Sequence, residues 1–255
     1  MIIRSFRADK LQVMIADSRA QLGKEAGKLA ETAIRETIER KGTANVMFAA
    51  APSQDETLKT LCESREIDWS KVNALHMDEY IGLAETHPAG FRNYLKKAIF
   101  DQFTFRSVHL LNGNAADIDA EIARYSELLK QYPLDVVLLG IGENGHLAFN
   151  DPSFADFEDR AYVKVVELEQ KCRLQQVHDG CFGTLSEVPS HALTVTIPPL
   201  MNGSILICSA PGSTKADAAR RVIRDEISTA CPGTIMRRHE NAYLFLDSDS
   251  AEMII

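Results

Sequence analysis

The sequence predicts an α/β protein built on a mostly parallel sheet with crossover helices, and three observations predict it. Short apolar runs suited to strands buried on both faces recur along the 255 residues, among them residues 45–49, 135–139 and 205–208. Segments with helical spacing of apolar residues alternate with them, as parallel pairing requires. No Pro/Ser/Gly-rich linker, internal repeat or low-complexity stretch divides the chain, so residues 1–255 are expected to form one domain.

The elements follow in order. Residues 18–41 place Leu22, Ala26, Leu29, Ala33, Ile34 and Ile38 near helical spacing, and Gly42 closes that helix. After the strand 45–49, Ser53 and Glu56 have capping-box spacing and predict a helix towards Cys62; its free amides give the same turn an alternative use as an anion site. Residues 72–77 predict the next strand, with Asp78-Glu79-Tyr80 at its exit, where two adjacent acids suit either a solvated turn or a site. A helix over 91–100, a strand over 107–111 and a charged helix over 117–132 lead into the strand 135–139. Beyond it, residues 153–160 are acidic and irregular, with Phe154 and Phe157 available as lid or packing residues. A strand over 162–168, a helix over 169–177 and strands over 191–197 and 205–208 come next. A helix then runs from Lys215 to about Arg224, and the last strand covers 241–247. Lys215 sits in a first turn, where the helix dipole favours anions, so it is either a solvated lysine or half of a phosphate site.

Composition narrows the function. Hydrophobic residues at 45% and charged residues at 25% are ordinary for a globular chain and argue against disorder. A net charge of −8 without a dense basic run disfavours nucleic-acid binding, while leaving room for a small anionic substrate held by a few converging cations. No apolar stretch reaches membrane-spanning length and the N-terminus lacks the apolar core of a signal peptide, so a cytoplasmic location without membrane contact is expected. Five scattered cysteines with no C-x-x-C pair fit reduced thiols and argue against a disulfide framework or a zinc site.

The stretch that carries chemistry is residues 138–152, LLGIGENGHLAFNDP. A buried strand enters it, and Gly140, Gly142 and Gly145 let the backbone turn at the strand's carboxyl end, the edge where open α/β sheets bind ligands. The turn delivers Asn144, His146, Asn150 and Asp151. An imidazole with a carboxylate five residues on is a usable acid/base pair, because the carboxylate fixes the tautomer and supports the protonated ring; the alternative is a loop with a satisfied histidine.

Taken together, LHMDEYIGL at residues 75–83, LLNGNAADIDAE at 110–121 and GIGENGHLAFNDP at 140–152 resemble the glucosamine-6-phosphate deaminase/isomerase family over roughly residues 40–250. The related 6-phosphogluconolactonases share a similar glycine-rich loop, but Asp78-Glu79-Tyr80 and Ala148-Phe149-Asn150 favour the deaminase side. The resemblance implies a modified Rossmann-like three-layer α/β/α sandwich, no nicotinamide cofactor and no metal. It implies that His146 moves protons during ring opening with Asn144 and Asp151 assisting, and that Asp78 carries a proton from C2 to C1. Ser53 and Gln54 in the first-strand turn would hold the 6-phosphate with Lys215, and Arg173 is the nearest candidate for an arginine that many members place there. Asn144 stands where the deaminases usually have aspartate, and Asp151 where many have glutamate. The expected reaction is conversion of glucosamine 6-phosphate to fructose 6-phosphate and ammonia, with the phosphosugar as partner and a homo-oligomer possible. The alternatives are a lactone hydrolase, a galactosamine-6-phosphate isomerase and a non-catalytic phosphosugar sensor.

Overall fold

The computed structural model describes residues 1–255. Its strands are β1 (Ile2–Ala8), β2 (Leu11–Ala16), β3 (Ala44–Phe48), β4 (Val72–His76), β5 (Asp78–Tyr80), β6 (Ser107–His109), β7 (Val136–Leu139), β8 (Val163–Glu167), β9 (His191–Val195), β10 (Ile205–Ala210) and β11 (Ala242–Leu246). The helices are α1 (Arg19–Lys41), α2 (Asp55–Glu63), α3 (Phe91–Leu95), α4 (Ile118–Gln131), α5 (Gln170–His178), α6 (Ile197–Met201) and α7 (Ala216–Arg224), and α3 continues into a π-helical turn at Lys96–Phe100.

Eight strands form the main sheet in the order β1-β2-β11-β10-β7-β3-β4-β6, and all neighbours pair in parallel except β1 with β2. The alternation of β7 explains why the sheet needs cover on both faces. Val137 and Leu139 enter one hydrophobic cluster with Leu75 and Cys208, while Val136 and Leu138 enter the other with Val46 and Ile207. Each such side chain contributes about 1.5–3 kcal/mol by leaving water, so the central strands cannot slip register without losing both cores.

Helix α1 begins where its sequence says. The Ser18 side chain accepts from the Gln21 amide at 3.3 Å, and Gly42 closes the helix in the left-handed region at φ 81°. The Ser53 capping box does not form. Residues 52–54 make a 3-10 turn before α2, and the Glu56 carboxylate is taken by Arg19, whose Nε donates to it at 2.7 Å.

Two parts of the fold go beyond the expected elements. The N-terminal residues add the antiparallel β1–β2 pair, with Leu11, Val13 and Ile15 pointing into the core. The strands expected near residues 162–168 and 191–197 do form, but with β5 they make a second, antiparallel sheet in the order β5-β9-β8. That small sheet fixes Asp78, because β5 is pinned to β9 through the Asp78–Thr194 pair. Phe154 and Phe157 are packing residues, each set against a different face cluster. No helix is long and apolar enough to cross a membrane.

Candidate active site

Four neighbouring parallel strands, β10, β7, β3 and β4, end on one edge of the sheet, and the segment after each contributes to a single cleft of about 250 Å³. The turn after β10 carries Gly212 to Lys215, the loop after β7 carries Gly140 to Phe149, the turn after β3 carries Ala51 to Ser53, and the chain after β4 supplies Met77 and Asp78. This is the position at which open α/β sheets gather ligand-binding groups.

Asp78 and Glu79 are successive residues of one strand, so their side chains leave on opposite faces. Glu79 turns away and caps α3: its carboxylate accepts from the amides of Tyr80, Phe91 and Arg92 at 3.0, 3.1 and 2.9 Å and from Arg92 Nε at 3.3 Å. Asp78 turns into the cleft, is 7% exposed and accepts no hydrogen bond from the protein. Burial pushes its carboxyl well above the ordinary carboxylate range, and the Glu79 charge adds to the shift. A carboxylate without protein partners and with raised basicity is suited to accept a proton from a ligand.

The β7 loop is built around His146. Its Nδ1 lies 2.8 Å from Asp151 Oδ1, which leaves Nε2 for the cleft. Burial pushes the Asp151 carboxyl up, but hydrogen bonds and charge from His146 and the amide of Asn144 outweigh it, leaving Asp151 below its ordinary value. Asn144 acts on both partners: its Nδ2 donates to Asp151 Oδ1 at 2.8 Å and its Oδ1 accepts from the His146 backbone N–H at 3.1 Å. It does not line the cleft, so its part is positional.

The loop's glycines have distinct reasons. A Cβ on Gly142 would lie 2.2 Å from the His146 ring, so glycine there makes room for the imidazole. Gly145 supplies the left-handed turn at φ 86°. Ala148 on the cleft wall holds φ 49°, an uncommon conformation for a residue with a side chain. Asn150 is fully buried, donates to the carbonyls of Leu147 and Val195, both at 2.9 Å, and ties the loop to β9. His146, Asp151 and Cys172 also bring one ligating atom each within 4.8 Å of one another, but the His146 and Asp151 atoms are already bonded to each other. Burial holds the Cys172 thiol well above its ordinary value, which keeps it neutral.

At the other end of the cleft Lys215 is 5% exposed, and its ammonium makes no ion pair and no hydrogen bond with the protein. Burial lowers its affinity for the proton, and the carboxylates of Asp179 and Glu143 partly restore it. Ser53 lines the same cleft. Two residues expected to hold substrate point elsewhere. Gln54 is fully buried and its amide donates to the Leu139 carbonyl at 3.1 Å, so it anchors the turn to the end of β7. Arg173 lies outside the cleft, because its guanidinium donates to the carbonyls of Leu185 and Val188 at 2.8 and 2.7 Å. The arginine that does line the cleft is Arg19, from the first turn of α1, held by Glu56 and the Pro52 carbonyl. Sequence reading missed it because α1 lies outside every motif; its only signal was an arginine in a helix's first turn, where the dipole disfavours it.

Fold and cleft together define a Rossmann-like α/β protein that sets a carboxylate, an imidazole and an unpaired ammonium at the carboxyl edge of its sheet. Residues 17–245 match the family described as glucosamine-6-phosphate isomerases/6-phosphogluconolactonase, and the chain belongs to that family. It is 34% identical to a glucosamine-6-phosphate deaminase of Exiguobacterium sp. over 91% of this chain and 89% of the relative. It is 31% identical to that of Streptococcus sanguinis over 90% and 95% of the two chains. Among solved structures it resembles a monomeric glucosamine-6-phosphate deaminase, with a TM-score of 0.85, 26% identity and coverage of 94% and 99%. A 6-phosphogluconolactonase of Shewanella baltica shares the fold at a TM-score of 0.76 and 16% identity, covering 95% and 100%.

Proposed function

We propose that the chain opens the ring of an amino-sugar 6-phosphate and converts it to a ketose phosphate and ammonia, with glucosamine 6-phosphate giving fructose 6-phosphate. The observation that carries this reading is that one cleft holds an unpartnered carboxylate, an imidazole and an unpaired buried ammonium, Asp78, His146 and Lys215. The names of the relatives in the family support the same reaction.

Lys215, Ser53 and the Ser213 and Thr214 amides of the turn after β10 take the phosphate, which gives the Lys215 ammonium the direct partner it lacks. His146 Nε2 passes a proton to the ring oxygen while the C1 hydroxyl gives one up, and Asp151 stabilises the imidazolium through Nδ1. The free aldehyde makes the C2 proton acidic. Asp78 removes it, the electron pair forms the C1=C2 bond of an enolamine, and O1 gains a proton. Asp78 then returns its proton to C1, leaving a C2 iminium. Water adds at C2, ammonia leaves, and the C2 ketone remains, so the balance is one water in and one ammonia out. Holding both ends of the open chain contributes as much as the proton transfers, because the bound geometry replaces encounters that would otherwise be rare.

Ammonia release from glucosamine 6-phosphate, measured beside hydrolysis of 6-phosphogluconolactone, tests the proposal. Ammonia release with little lactone hydrolysis is expected. Turnover of the lactone alone, or binding without turnover of either, overturns it.

A further inference from the structure

An amphipathic helix at the edge of a cleft ordinarily buries aliphatic residues, but α5 buries Cys172, Gln175 and Gln176. Cys172 packs beside Asp151, and the Gln175 side-chain Oε1 accepts from the Glu143 backbone N–H at 2.9 Å, holding the His146 loop. Gln176 has no such employment. It is 7% exposed, it lines the cleft with Asp78 and His146, and its amide has no protein partner. Its polar atoms open onto the cleft instead of being sealed in the core, so a ligand that enters the cleft can engage both its donor and its acceptor.

Its place along α5 says which part of the ligand. One turn earlier on the same face is Cys172, against the His146–Asp151 pair; three residues later is Asp179, on the cleft wall and close enough to influence Lys215. Gln176 therefore stands between the acid/base end and the ammonium end. In an open-chain hexosamine phosphate with C1 and C2 at Asp78 and its phosphate at Lys215, the midpoint of the carbon chain faces this amide. A neutral group that both donates and accepts matches a hydroxyl, which does the same. We infer that Gln176 hydrogen-bonds the C4 hydroxyl of the substrate and sets the preference between the gluco and galacto epimers. The inference rests on the deaminase reading and adds the residue that selects the sugar.

The test compares the wild-type chain with Gln176→Leu, which keeps the bulk and removes the amide, using glucosamine 6-phosphate and its C4 epimer galactosamine 6-phosphate. In Gln176→Leu the kcat/KM of the preferred epimer is expected to fall about ten- to hundredfold while the other changes less than about threefold, so that the preference collapses. Thermal stabilisation by inorganic phosphate, which reads the Lys215 end alone, is expected to stay as in wild type and certifies a folded variant. Equal loss for both epimers, an unchanged preference, or a wild-type chain that turns over both equally overturns the inference. Should neither sugar release ammonia, the deaminase reading fails by itself. The inference then stands or falls on whether the 6-phosphates of 2-amino-2-deoxyglucitol and 2-amino-2-deoxygalactitol stabilise wild type unequally and Gln176→Leu equally.

Discussion

The two faces of strand β5 carry the same functional group in opposite circumstances. On one face the Glu79 carboxylate collects three backbone amides and a guanidinium; on the other the Asp78 carboxyl collects nothing. The cations differ in the same direction: Arg173 gives its Nη2 to two carbonyls, although its Nε is left without a partner, and the Lys215 ammonium has no protein partner at all. Asp78 and Glu79 are both buried carboxyl groups, so neither residue type nor burial identifies the reactive member. What separates them is whether the protein has already satisfied the group. A satisfied buried charge holds the fold together, and an unsatisfied one is held ready for a molecule that is not part of the chain.

The contrast is broken most sharply at Asp78. Asp78→Asn removes the base and is expected to lower kcat by about a thousandfold, within the range for general acid–base groups, while thermal stabilisation by the substrate persists. The same variant has a second readout. Because the folded carboxyl titrates well above its ordinary value, its ionisation opposes folding: the stability it allows is complete at low pH and is lost as pH rises through the raised value. The Tm of Asp78→Asn should therefore exceed that of wild type at pH 8, and the gap should close towards the ordinary carboxylate range near about pH 4. Wild-type kcat/KM should lose its base on acidification at a pH above that range. A Tm gap that does not change with pH would mean Asp78 is paired after all.

At Lys215 the expected loss is in binding. Lys215→Met should raise KM for the phosphorylated sugar by about ten- to hundredfold, the worth of one charge-assisted contact, with kcat nearly unchanged and little effect on the unphosphorylated amino sugar. Equal weakening for both would place the phosphate elsewhere in the cleft, with Arg19 as its next partner.

Glu79→Gln keeps the shape and removes the charge that Arg92 faces. Its expected cost is about 1–3 kcal/mol of folding stability, measured by urea denaturation, with kcat within about threefold of wild type because Glu79 points away from the cleft. A loss of turnover comparable to that of Asp78→Asn would erase the distinction between the two faces.

Much of this was legible before any coordinates. The central strands β3, β4, β7 and β10 announce themselves as short apolar runs because both faces are buried, and the glycine-rich loop after β7 marks the functional edge. The antiparallel pair at the N-terminus was not legible, since Leu11, Val13 and Ile15 alternate over only a few residues and their partner β1 mixes apolar and polar residues without a clear period and buries none of them fully. The capping box at Ser53 failed for a reason local reading cannot supply: the residue that takes Glu56 is Arg19, 37 positions away. Gln176 was invisible for a similar reason. A glutamine in a polar helix reads as solvent-exposed, and only the packing of α5 over the cleft turns it into a cleft-facing amide that no protein group bonds.

The least effect on turnover is expected at Arg173, which makes it the most discriminating control. Its guanidinium spans the carbonyls of Leu185 and Val188, so it ties α5 to the turn that follows. Arg173→Met would leave those carbonyls without their donor and should cost about 1–3 kcal/mol of stability. In the proposed binding mode the phosphate meets groups at the ends of β3 and β10, which Arg173 does not touch, so KM for the sugar phosphate should stay within about threefold. The two readouts answer different questions. Loss of stability with KM preserved assigns Arg173 to the fold. A tenfold rise in KM, seen for phosphorylated and not for unphosphorylated sugar, would instead mean that the guanidinium leaves its carbonyls for the phosphate when substrate binds, and that a group already engaged in the free protein can still be recruited.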